Sequence, residues 1–167
     1  MFKKLFGKKE EESAAPKEGR LLAIQSGKTV PVEEVPDPVF SQKMLGDGVA
    51  LIPEDGKIYS PVNGKIVSLI PSKHAYGIEA EEGAEVLIHI GLETVALNGE
   101  GFTCHVKKDQ TVKAGDLLAE VDLELLKEKG YNTITPILIT NMDDVREVKM
   151  TTGPVTAKET VMITYKK

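Results

Sequence analysis

The segment YGIEAEEGAEVLIHI, residues 76–90, has the pattern of two short strands joined by a tight turn. Gly83 suits the bend, because glycine accepts the backbone conformations that tight turns require. After the turn, Val86 and Ile88 point to one face of a strand, whereas His89 points to the other. The segment therefore predicts an antiparallel hairpin that carries an imidazole on its less aliphatic face.

The chain beyond residue 20 continues this pattern of short strands between turn residues. The candidate strands are rich in Val, Ile, Leu and Thr, and Gly, Pro, Asn or Asp bound them. They lie in LLAIQSGKTVPVEEV, GVALIP, GKIYSPVNGKIVSLI, GFTCHV, DLLAEVD, TPILITNM and TVMITY. Because no helical pattern separates them, we predict an all-β fold, either an antiparallel sandwich or a barrel.

Three short segments carry helix signals. In PDPVFSQKML, Pro38 suits the first turn of a helix, where its missing N–H group is not needed. In DLELLKEKG, Asp122 suits the N-cap and Gly130 suits the C-terminal stop. In NMDDVREV, Asn141 suits the cap of a helix with an acidic first turn. Helices this short are predicted to lie outside the sheets.

Length and composition indicate a globular domain and argue against nucleic-acid binding and against a membrane-spanning protein. The chain has 167 residues, of which 41% are hydrophobic and 28% are charged. Its net charge of -5, with Lys and Arg scattered among carboxylates, argues against nucleic-acid binding. No apolar run approaches the roughly 20 residues of a transmembrane helix, and no secretory signal is evident. Together with the single Cys104, these features predict a cytoplasmic protein.

Residues 1–19 differ from the rest of the chain and are predicted to form a flexible, partly basic tail. Phe2, Leu5 and Phe6 would share one face of a helix, with lysines around them. Two interpretations stay open, a solubilising tail and a weak peripheral contact with an anionic membrane. Residues 20–167 are predicted to form a single domain, which we expect to be a monomer.

The three histidines, His74, His89 and His105, are the main candidates for chemistry. Counted from a turn centre near Glu82, His74 lies eight residues before it and His89 seven residues after it. The two imidazoles are therefore predicted to be neighbours across the hairpin. Such a pair can bind zinc, transfer protons, accept a phosphoryl group or serve the fold through hydrogen bonds. His105, within CHVKKDQTV, is predicted to be structural.

Several common active-site motifs are missing from the sequence. There is no C-x-x-C, H-x-x-x-H or H-E-x-x-H spacing, so a dedicated structural zinc site is not indicated. No G-x-S-x-G elbow suggests a serine hydrolase. A phosphate-cradling glycine loop is also missing, which argues against ATP as a direct substrate.

The motifs KHAYGIE and HIGLETVALNGEGF resemble those of the glucose-type enzyme IIA family of the bacterial phosphoenolpyruvate-dependent sugar phosphotransferase system. The likeness runs from about Leu22 to Tyr165. It includes PVEEVPDPVFSQKMLGDGVAL, SPVNGKIVSLIPSKHA, VKAGDLLAEVDLELLKEKG and TPILITNM. The resemblance implies an antiparallel β-sandwich with Greek-key character, formed by a single enzyme IIA domain.

The resemblance also implies roles for three polar residues. His89 matches the residue that accepts a phosphoryl group from the phosphocarrier protein HPr and passes it to a cysteine of a transporter IIB domain. His74 matches the second histidine, which supports the phosphoryl oxygens and the onward transfer. Ser72 stands where relatives usually carry Thr, and its hydroxyl is expected to orient His74. This relay drives the uptake and phosphorylation of a sugar.

A partner-docking rim around His89 is a further implication of the resemblance. The candidates are mostly apolar, because a dry, shallow surface slows hydrolysis of phosphohistidine and accepts several partners. They are Phe40, Met44, Leu45, Asp47, Ile70, Tyr76, Leu87 and Glu93. Regulated metabolic enzymes or permeases are possible additional partners. No cofactor is required, although zinc is possible at His74 and His89.

Two alternatives from other classes stay under consideration. SPVNGKIVSL, QTVKAGDLLAEV and the EVKM segment resemble parts of biotinyl or lipoyl carrier domains. Lys149, however, follows both half-motifs instead of lying between them, which argues against a swinging-arm carrier. The second alternative is a regulatory module in which His74 and His89 hold zinc together with a ligand from a partner.

Overall fold

The structure, a computed structural model, describes residues 18–167, which form fourteen β-strands and two short α-helices. The strands are β1 (Glu18–Leu22), β2 (Gly27–Pro31), β3 (Asp47–Pro53), β4 (Lys57–Tyr59), β5 (Gly64–Leu69), β6 (Ala75–Ala80), β7 (Glu85–His89), β8 (Phe102–Cys104), β9 (Thr111–Val112), β10 (Leu117–Val121), β11 (Thr135–Ile139), β12 (Arg146–Met150), β13 (Gly153–Val155) and β14 (Val161–Lys166). The helices are α1 (Pro38–Ser41) and α2 (Leu123–Glu128), and 3-10 helices cover Val32–Glu34, Thr94–Leu97 and Met142–Asp144.

The strands of residues 18–167 form three sheets, and every strand pair is antiparallel. The largest sheet has the order β13-β2-β3-β11-β7-β6-β5-β9, and the smaller sheets have the orders β1-β14-β12 and β4-β10-β8. Within the large sheet, β2 lies between β13 and β3, and β11 lies between β3 and β7, so several neighbouring strands are distant in the chain. The predicted all-β sandwich with Greek-key character is confirmed.

The main hydrophobic core lies on one face of the eight-stranded sheet. In β11, Ile137 and Ile139 belong to this core, whereas Leu138 between them belongs to a second cluster. Successive side chains of a strand point to opposite faces, so the two clusters cover opposite faces of the sheet. The main core also includes Leu118 of β10 and Ile163 of β14. The two smaller sheets therefore pack over this face of the large sheet.

The second cluster lies on the face of the large sheet that carries His89. Its buried members are Val30, Val32, Val35, Phe40, Ala50, Leu92, Ile134 and Leu138. Leu87, two residues before His89 in β7, packs against this cluster and shares its face. Helix α1 and the preceding 3-10 helix thus cover part of the sheet next to His89.

The strands β6 and β7 form the hairpin that the opening segment predicts. Ala75 lies opposite His89, and Ile78 lies opposite Val86. Gly83 has a φ of +109°, and its N–H group donates to the Ala80 carbonyl at 3.0 Å. This left-handed backbone conformation favours glycine, so the predicted turn residue is confirmed with its physical reason.

Tyr76 lies on the core face of this hairpin, which corrects the expectation that it lines the docking rim. It pairs with Ile88 in β7 and with Leu69 in β5. Its side chain is 0% exposed and belongs to the main core. Because His89 is the residue next to Ile88 in the strand, Tyr76 and His89 point to opposite faces.

The helix signals are confirmed for two of the three segments. Asp37 accepts a hydrogen bond from the Val39 N–H group at the N-cap of α1, directly before Pro38. Asp122 caps α2 in the same way, and Gly130 follows its end with a φ of +86°.

Asn141 precedes a single 3-10 turn, and its predicted capping role is wrong. Its side chain makes no capping hydrogen bond to the helix backbone. The Asn141 amide instead accepts from the Glu85 N–H group and donates to the Gly83 carbonyl. Asn141 therefore fastens the end of β11 to the β6–β7 turn.

The N-terminal boundary lies slightly earlier than the predicted domain start at residue 20. Glu18 and Gly19 already pair with Lys166 and Tyr165 of β14. The predicted tail falls mostly on residues 1–17, so its flexibility and its membrane contact lie outside the described residues. Among residues 18–167, no helix is both long and apolar enough to cross a membrane.

Candidate functional site

The end of β7 places two histidines side by side. His89 is the last residue of β7, and the His74 carbonyl accepts a hydrogen bond from the Ile90 N–H group at 2.7 Å. The two imidazole centroids lie 4.9 Å apart, with an angle of 81° between the ring planes. The predicted proximity of His74 and His89 is thus found in the structure.

One hydrogen bond fixes the protonation pattern of the His89 ring. Its Nδ1 atom lies 2.8 Å from the Gly91 carbonyl oxygen. A carbonyl only accepts, so the neutral ring carries its proton on Nδ1 and leaves the lone pair on Nε2 free. The side chain is half-buried, and Nε2 is the ring nitrogen left for chemistry.

Gly91 positions its own carbonyl group to accept the hydrogen bond from His89 Nδ1, because the chain turns sharply there. Its φ is +73°, and a Cβ atom would lie 2.7 Å from Thr94 Cγ2 and 3.0 Å from the Asn132 carbonyl oxygen. Only glycine fits without displacement of these neighbours. The Thr94 hydroxyl donates to the Ile90 carbonyl at 2.6 Å, which holds the turn closed.

The ring of His74 is oriented by Ser72. The Ser72 hydroxyl oxygen lies 2.8 Å from His74 Nδ1. When the hydroxyl donates to Nδ1, the proton of the neutral His74 ring is on Nε2, where it can be offered to an anion. Lys73 between them has a left-handed φ of 63°, and its N–H group donates to the Ile70 carbonyl. This tight turn brings Ser72 back onto the ring.

Burial keeps both imidazoles uncharged near neutral pH. Burial and the nearby His89 lower the pKa of His74 from 6.5 to about 4. The side chain of His74 is only 4% exposed. Burial also lowers the pKa of His89, although the bond to Gly91 and the carboxylate of Asp37 oppose the shift. A neutral His89 retains the nucleophilic lone pair that an imidazolium lacks.

Phe40 packs against the second side of the His89 ring. The two ring centroids lie 5.0 Å apart with an angle of 58° between the planes. Phe40 belongs to α1, is 4% exposed and forms part of the second cluster. His89 is therefore held between an aromatic ring and the imidazole of His74.

The predicted rim residues fall into three groups. Met44 and Leu45, on the turn after α1, are exposed by 67% and 44%. Phe40 and Leu87 are packed into the second cluster and contribute to the floor around His89. The last group comprises Asp47 and Ile70, which are half-buried, and Glu93, which is exposed. Glu93 has a left-handed φ of 60°.

Two exposed valines near the site were missed by the sequence reasoning. Val39 lies in α1 beside Phe40, and Val95 lies in the 3-10 helix that follows Gly91. They are exposed by 38% and 56%. The sequence signal for these two valines was their position inside DPVF and LETVAL, the motifs that flank the site residues.

His105 lies apart from this pair. Its Nε2 atom is 2.8 Å from a carboxylate oxygen of Glu120, in an exposed contact between β8 and β10. Within residues 18–167, no cluster of three or more His, Cys, Asp or Glu side chains is placed to hold a metal ion. Two imidazoles fall short of the three or four protein ligands of a resident zinc site.

Comparisons with known proteins agree with this site. The family model described as phosphoenolpyruvate-dependent sugar phosphotransferase system, EIIA 1, matches residues 19–145. The chain is 50% identical over 170 residues to a PTS system glucose-specific EIIA component from Halalkalibacterium halodurans, a match that covers 99% of this chain and 98% of the relative. The corresponding protein from Haemophilus influenzae is 44% identical over 167 residues, covering 100% and 99% of the two chains.

A solved structure supports the same relationship. Glucose permease IIA from Mycoplasma capricolum superposes with a TM-score of 0.82 at 40% sequence identity, and the match covers 89% of this chain and 96% of that chain. The family match spans both histidines, and the structural match shows the same sandwich. The chain belongs to the EIIA 1 family of the phosphoenolpyruvate-dependent sugar phosphotransferase system, and it is a phosphotransferase component of sugar transport.

Proposed function

We propose that this chain carries a phosphoryl group on His89 Nε2, receiving it from phosphohistidine HPr and passing it to a cysteine of a permease IIB domain. The observation that carries the proposal is the hydrogen bond from His89 Nδ1 to the Gly91 carbonyl. It directs the free lone pair to Nε2 and fixes the ring while that lone pair reacts.

In the first transfer, the Nε2 lone pair attacks phosphorus, and the nitrogen–phosphorus bond of the donor breaks. The proton on Nδ1 stays in place, so the step needs no proton transfer at His89. Positive charge develops on the ring as the new bond forms. The Gly91 carbonyl, already hydrogen-bonded to Nδ1, stabilises that charge without reorganisation.

His74 supplies a donor to the phosphoryl oxygens, and this donor is needed mainly in the onward transfer. The Ser72 hydroxyl holds Nδ1 of His74, which leaves the Nε2 proton for the phosphoryl group. Phosphoryl transfer passes through a loose transition state in which positioning and charge stabilisation dominate. Phe40 and Leu87 limit the access of water from the side of the second cluster, which slows hydrolysis of phosphohistidine.

In the second transfer, a thiolate of the IIB domain attacks the same phosphorus, and the bond to His89 Nε2 breaks. One relative, the Streptococcus pneumoniae PTS system glucose-specific EIICBA component, is 49% identical over 142 residues, which span 84% of this chain and 20% of the relative. A name that joins C, B and A components supports a IIB domain as the acceptor. We place both transfers in the cytoplasm. Metabolic enzymes or permeases that this chain regulates would dock on the same surface around His89.

Zinc is not required for this relay. We propose that His74 and His89 bind zinc only when a partner adds further ligands, because two imidazoles do not complete a site. Titration calorimetry with zinc on the free protein should therefore show no specific heat, in the wild type or in His89→Gln. A stoichiometric signal in the wild type that is lost in His89→Gln would contradict this statement.

Phosphorylation in a reconstituted system tests the proposed function. The wild-type chain with phosphoenolpyruvate, enzyme I and HPr should gain the mass of one acid-labile phosphoryl group. His89→Ala should lose this gain, and His105→Ala, the matched control outside the pair, should retain it. His74→Gln should accept the group but pass it on poorly. A stable phosphoryl adduct on His89→Ala would overturn the assignment.

A further inference from the structure

The turn between α1 and β3, residues 42–46, holds the most exposed apolar side chain near the site. Met44 is 67% exposed, and its neighbour Leu45 is 44% exposed. The N–H groups of Lys43 and Met44 donate to the carbonyls of Phe40 and Val39, which ties the turn to α1. Since Phe40 packs on the His89 ring, Phe40 links this turn to the proposed nucleophile.

The backbone of the turn has positive φ angles, which residues with a Cβ atom rarely adopt. Lys43 has a left-handed φ of 59°. Gly46 has a φ of +150°, and a Cβ atom there would lie 2.3 Å from the Ile139 carbonyl oxygen. A left-handed φ costs a lysine free energy, which the contacts of the surrounding turn offset. Backbone hydrogen bonds to Phe40 and Val39 supply part of these contacts, and the Lys43 side chain adds ion pairs.

We call the contacts of Lys43 with Glu33 and Asp47 the Lys43 clasp. The Lys43 ammonium lies 3.0 Å from a Glu33 oxygen and 3.5 Å from an Asp47 oxygen. Glu33 precedes α1, and Asp47 begins β3, so the clasp spans both sides of the turn. The hydrogen bond between Lys43 and Glu33 raises the pKa of Lys43 and lowers the pKa of Glu33.

Asp47 is itself fixed by the fold, which makes it a firm anchor for the clasp. Its second carboxylate oxygen accepts from the Gly48 N–H group at 2.8 Å, and its side chain is half-buried. Asp47 also pairs with Ile139 in the large sheet. Movement of the turn is therefore limited at the β3 end by the sheet and at the other end by Glu33.

We propose that Lys43 is a positioning residue that holds Met44 and Leu45 outward as a preformed docking surface for the protein that phosphorylates His89. The proposal rests on the proposed function, because that function requires a partner at this face. Ordering a flexible turn on binding weakens association, and a turn that is already ordered avoids this loss. The clasp thus acts on binding of the donor and not on the chemistry at Nε2.

The expected effect is small, because exposed ion pairs are weak. Removal of such pairs usually changes equilibria by up to about fivefold. We expect Lys43→Met, which keeps an unbranched apolar side chain but removes the charge, to raise the KM for this chain as substrate of phospho-HPr about threefold, with kcat unchanged. Glu33→Gln should raise KM by a smaller factor in the same direction. The double variant should resemble Lys43→Met alone.

Lys65→Met is the matched control for these variants. Lys65 lies on β5 and pairs with Asp109 at 3.9 Å, outside the turn. It should leave both KM and kcat unchanged. If Glu33→Gln leaves KM unchanged while Lys43→Met raises it, Lys43 contacts the donor directly and the clasp is overturned. Equal KM values for wild type and Lys43→Met, or additive effects in the double variant, would also overturn it.

Methyl NMR provides a readout that does not depend on phosphorylation. The Met44 methyl group, assigned with Met44→Leu, should show faster internal motion in Lys43→Met than in the wild type and in Lys65→Met. Unchanged motion would overturn the positioning role of Lys43 even if phosphorylation proceeds. Failure of the wild type to be phosphorylated, with this change in motion present, would instead reject the proposed function.

Discussion

The two faces of the β6–β7 hairpin differ sharply in burial and in chemistry, although their residues alternate along the same strands. Tyr76 and Ile88 face the main core and are 0% exposed. Ala75 and His89, the next pair in the ladder, face the second cluster and are half-buried. A shift of one residue in register would exchange the two sets, so the core face fixes where the imidazole stands.

The largest expected effect comes from truncating one side chain on each face. Ile88→Ala should lower the free energy of unfolding by about 3–4 kcal/mol, because it leaves a cavity in a fully packed core. Leu87→Ala, its neighbour on the site face, should cost about 1–2 kcal/mol, because its side chain is only half-buried. Urea denaturation measures both values.

Phosphorylation kinetics complete this comparison of the two faces. Below the unfolding transition, Ile88→Ala should be phosphorylated at the wild-type rate. In Leu87→Ala, the phosphohistidine should be hydrolysed faster than in the wild type. Equal loss of stability in both variants would contradict the distinction between the core face and the site face.

The second effect is a pH dependence of stability that belongs to the site face. The pKa of His74 is lowered from 6.5 to about 4, so the unfolded chain takes up protons first as the pH falls. The stabilisation is therefore complete above about pH 6.5 and is lost between pH 6.5 and pH 4. With about 1.4 kcal/mol for each pKa unit, His74 accounts for a loss of about 3 kcal/mol.

His74→Gln isolates this contribution, because glutamine does not titrate. The difference in unfolding free energy between wild type and His74→Gln should shrink or reverse as the pH falls from 7 to 4. A difference that stays constant over this range would show that His74 is not held neutral by burial. Denaturant titrations at pH 7, 5.5 and 4 provide the measurement.

A third, smaller effect concerns the turn at Gly91, which positions the carbonyl that accepts from His89 Nδ1. Gly91→Ala should cost about 2 kcal/mol, because alanine disfavours a φ of +73° and its methyl group meets Thr94 and the Asn132 carbonyl. Gly130→Ala is the matched control, since its φ is +86° and no described atom lies within 4 Å of an added Cβ. It should cost about 1 kcal/mol.

Activity separates these two glycines more clearly than stability does. Gly91→Ala should slow phosphorylation at least about tenfold, because the carbonyl that orients His89 Nδ1 moves. Gly130→Ala should be phosphorylated at the wild-type rate. Similar rates in the two variants would show that the Gly91 carbonyl does not control the nucleophile.

The smallest effect returns to the core face. The Tyr76 hydroxyl is buried without a hydrogen-bond partner among residues 18–167. Tyr76→Phe removes this unsatisfied group and should change the unfolding free energy by less than about 0.5 kcal/mol, or stabilise the protein. A loss above about 1 kcal/mol would reveal a hydrogen bond that the fold does not show.

Local patterns in the sequence were sufficient for the hairpin and for the histidine pair. The centre at Glu82 follows from alternation and from one glycine, and it places His74 and His89 together without knowledge of other strands. The same count also places Tyr76 opposite Ile88, on the core face. The rim expectation for Tyr76 therefore failed although the register already contained the answer.

Features that depend on distant residues could not be predicted in this way. The insertion of β11 between β3 and β7 follows from the packing of the whole sandwich. Asn141 has the residue type of a cap, but its partners Gly83 and Glu85 come from a turn far away in the sequence. The packing of Phe40 on His89 likewise depends on where α1 lands on the sheet.

Nitrogen NMR of the histidine rings decides whether the Gly91 carbonyl holds the His89 proton on Nδ1 and leaves Nε2 for the phosphoryl group. In protein labelled with nitrogen-15 in histidine, at pH 7, the unphosphorylated His89 ring should be neutral, with its proton on Nδ1. After phosphorylation by HPr, phosphorus should couple to Nε2 while the proton stays on Nδ1. A proton on Nε2 in the free protein, or phosphorus on Nδ1 in the product, would contradict the role assigned to the Gly91 carbonyl.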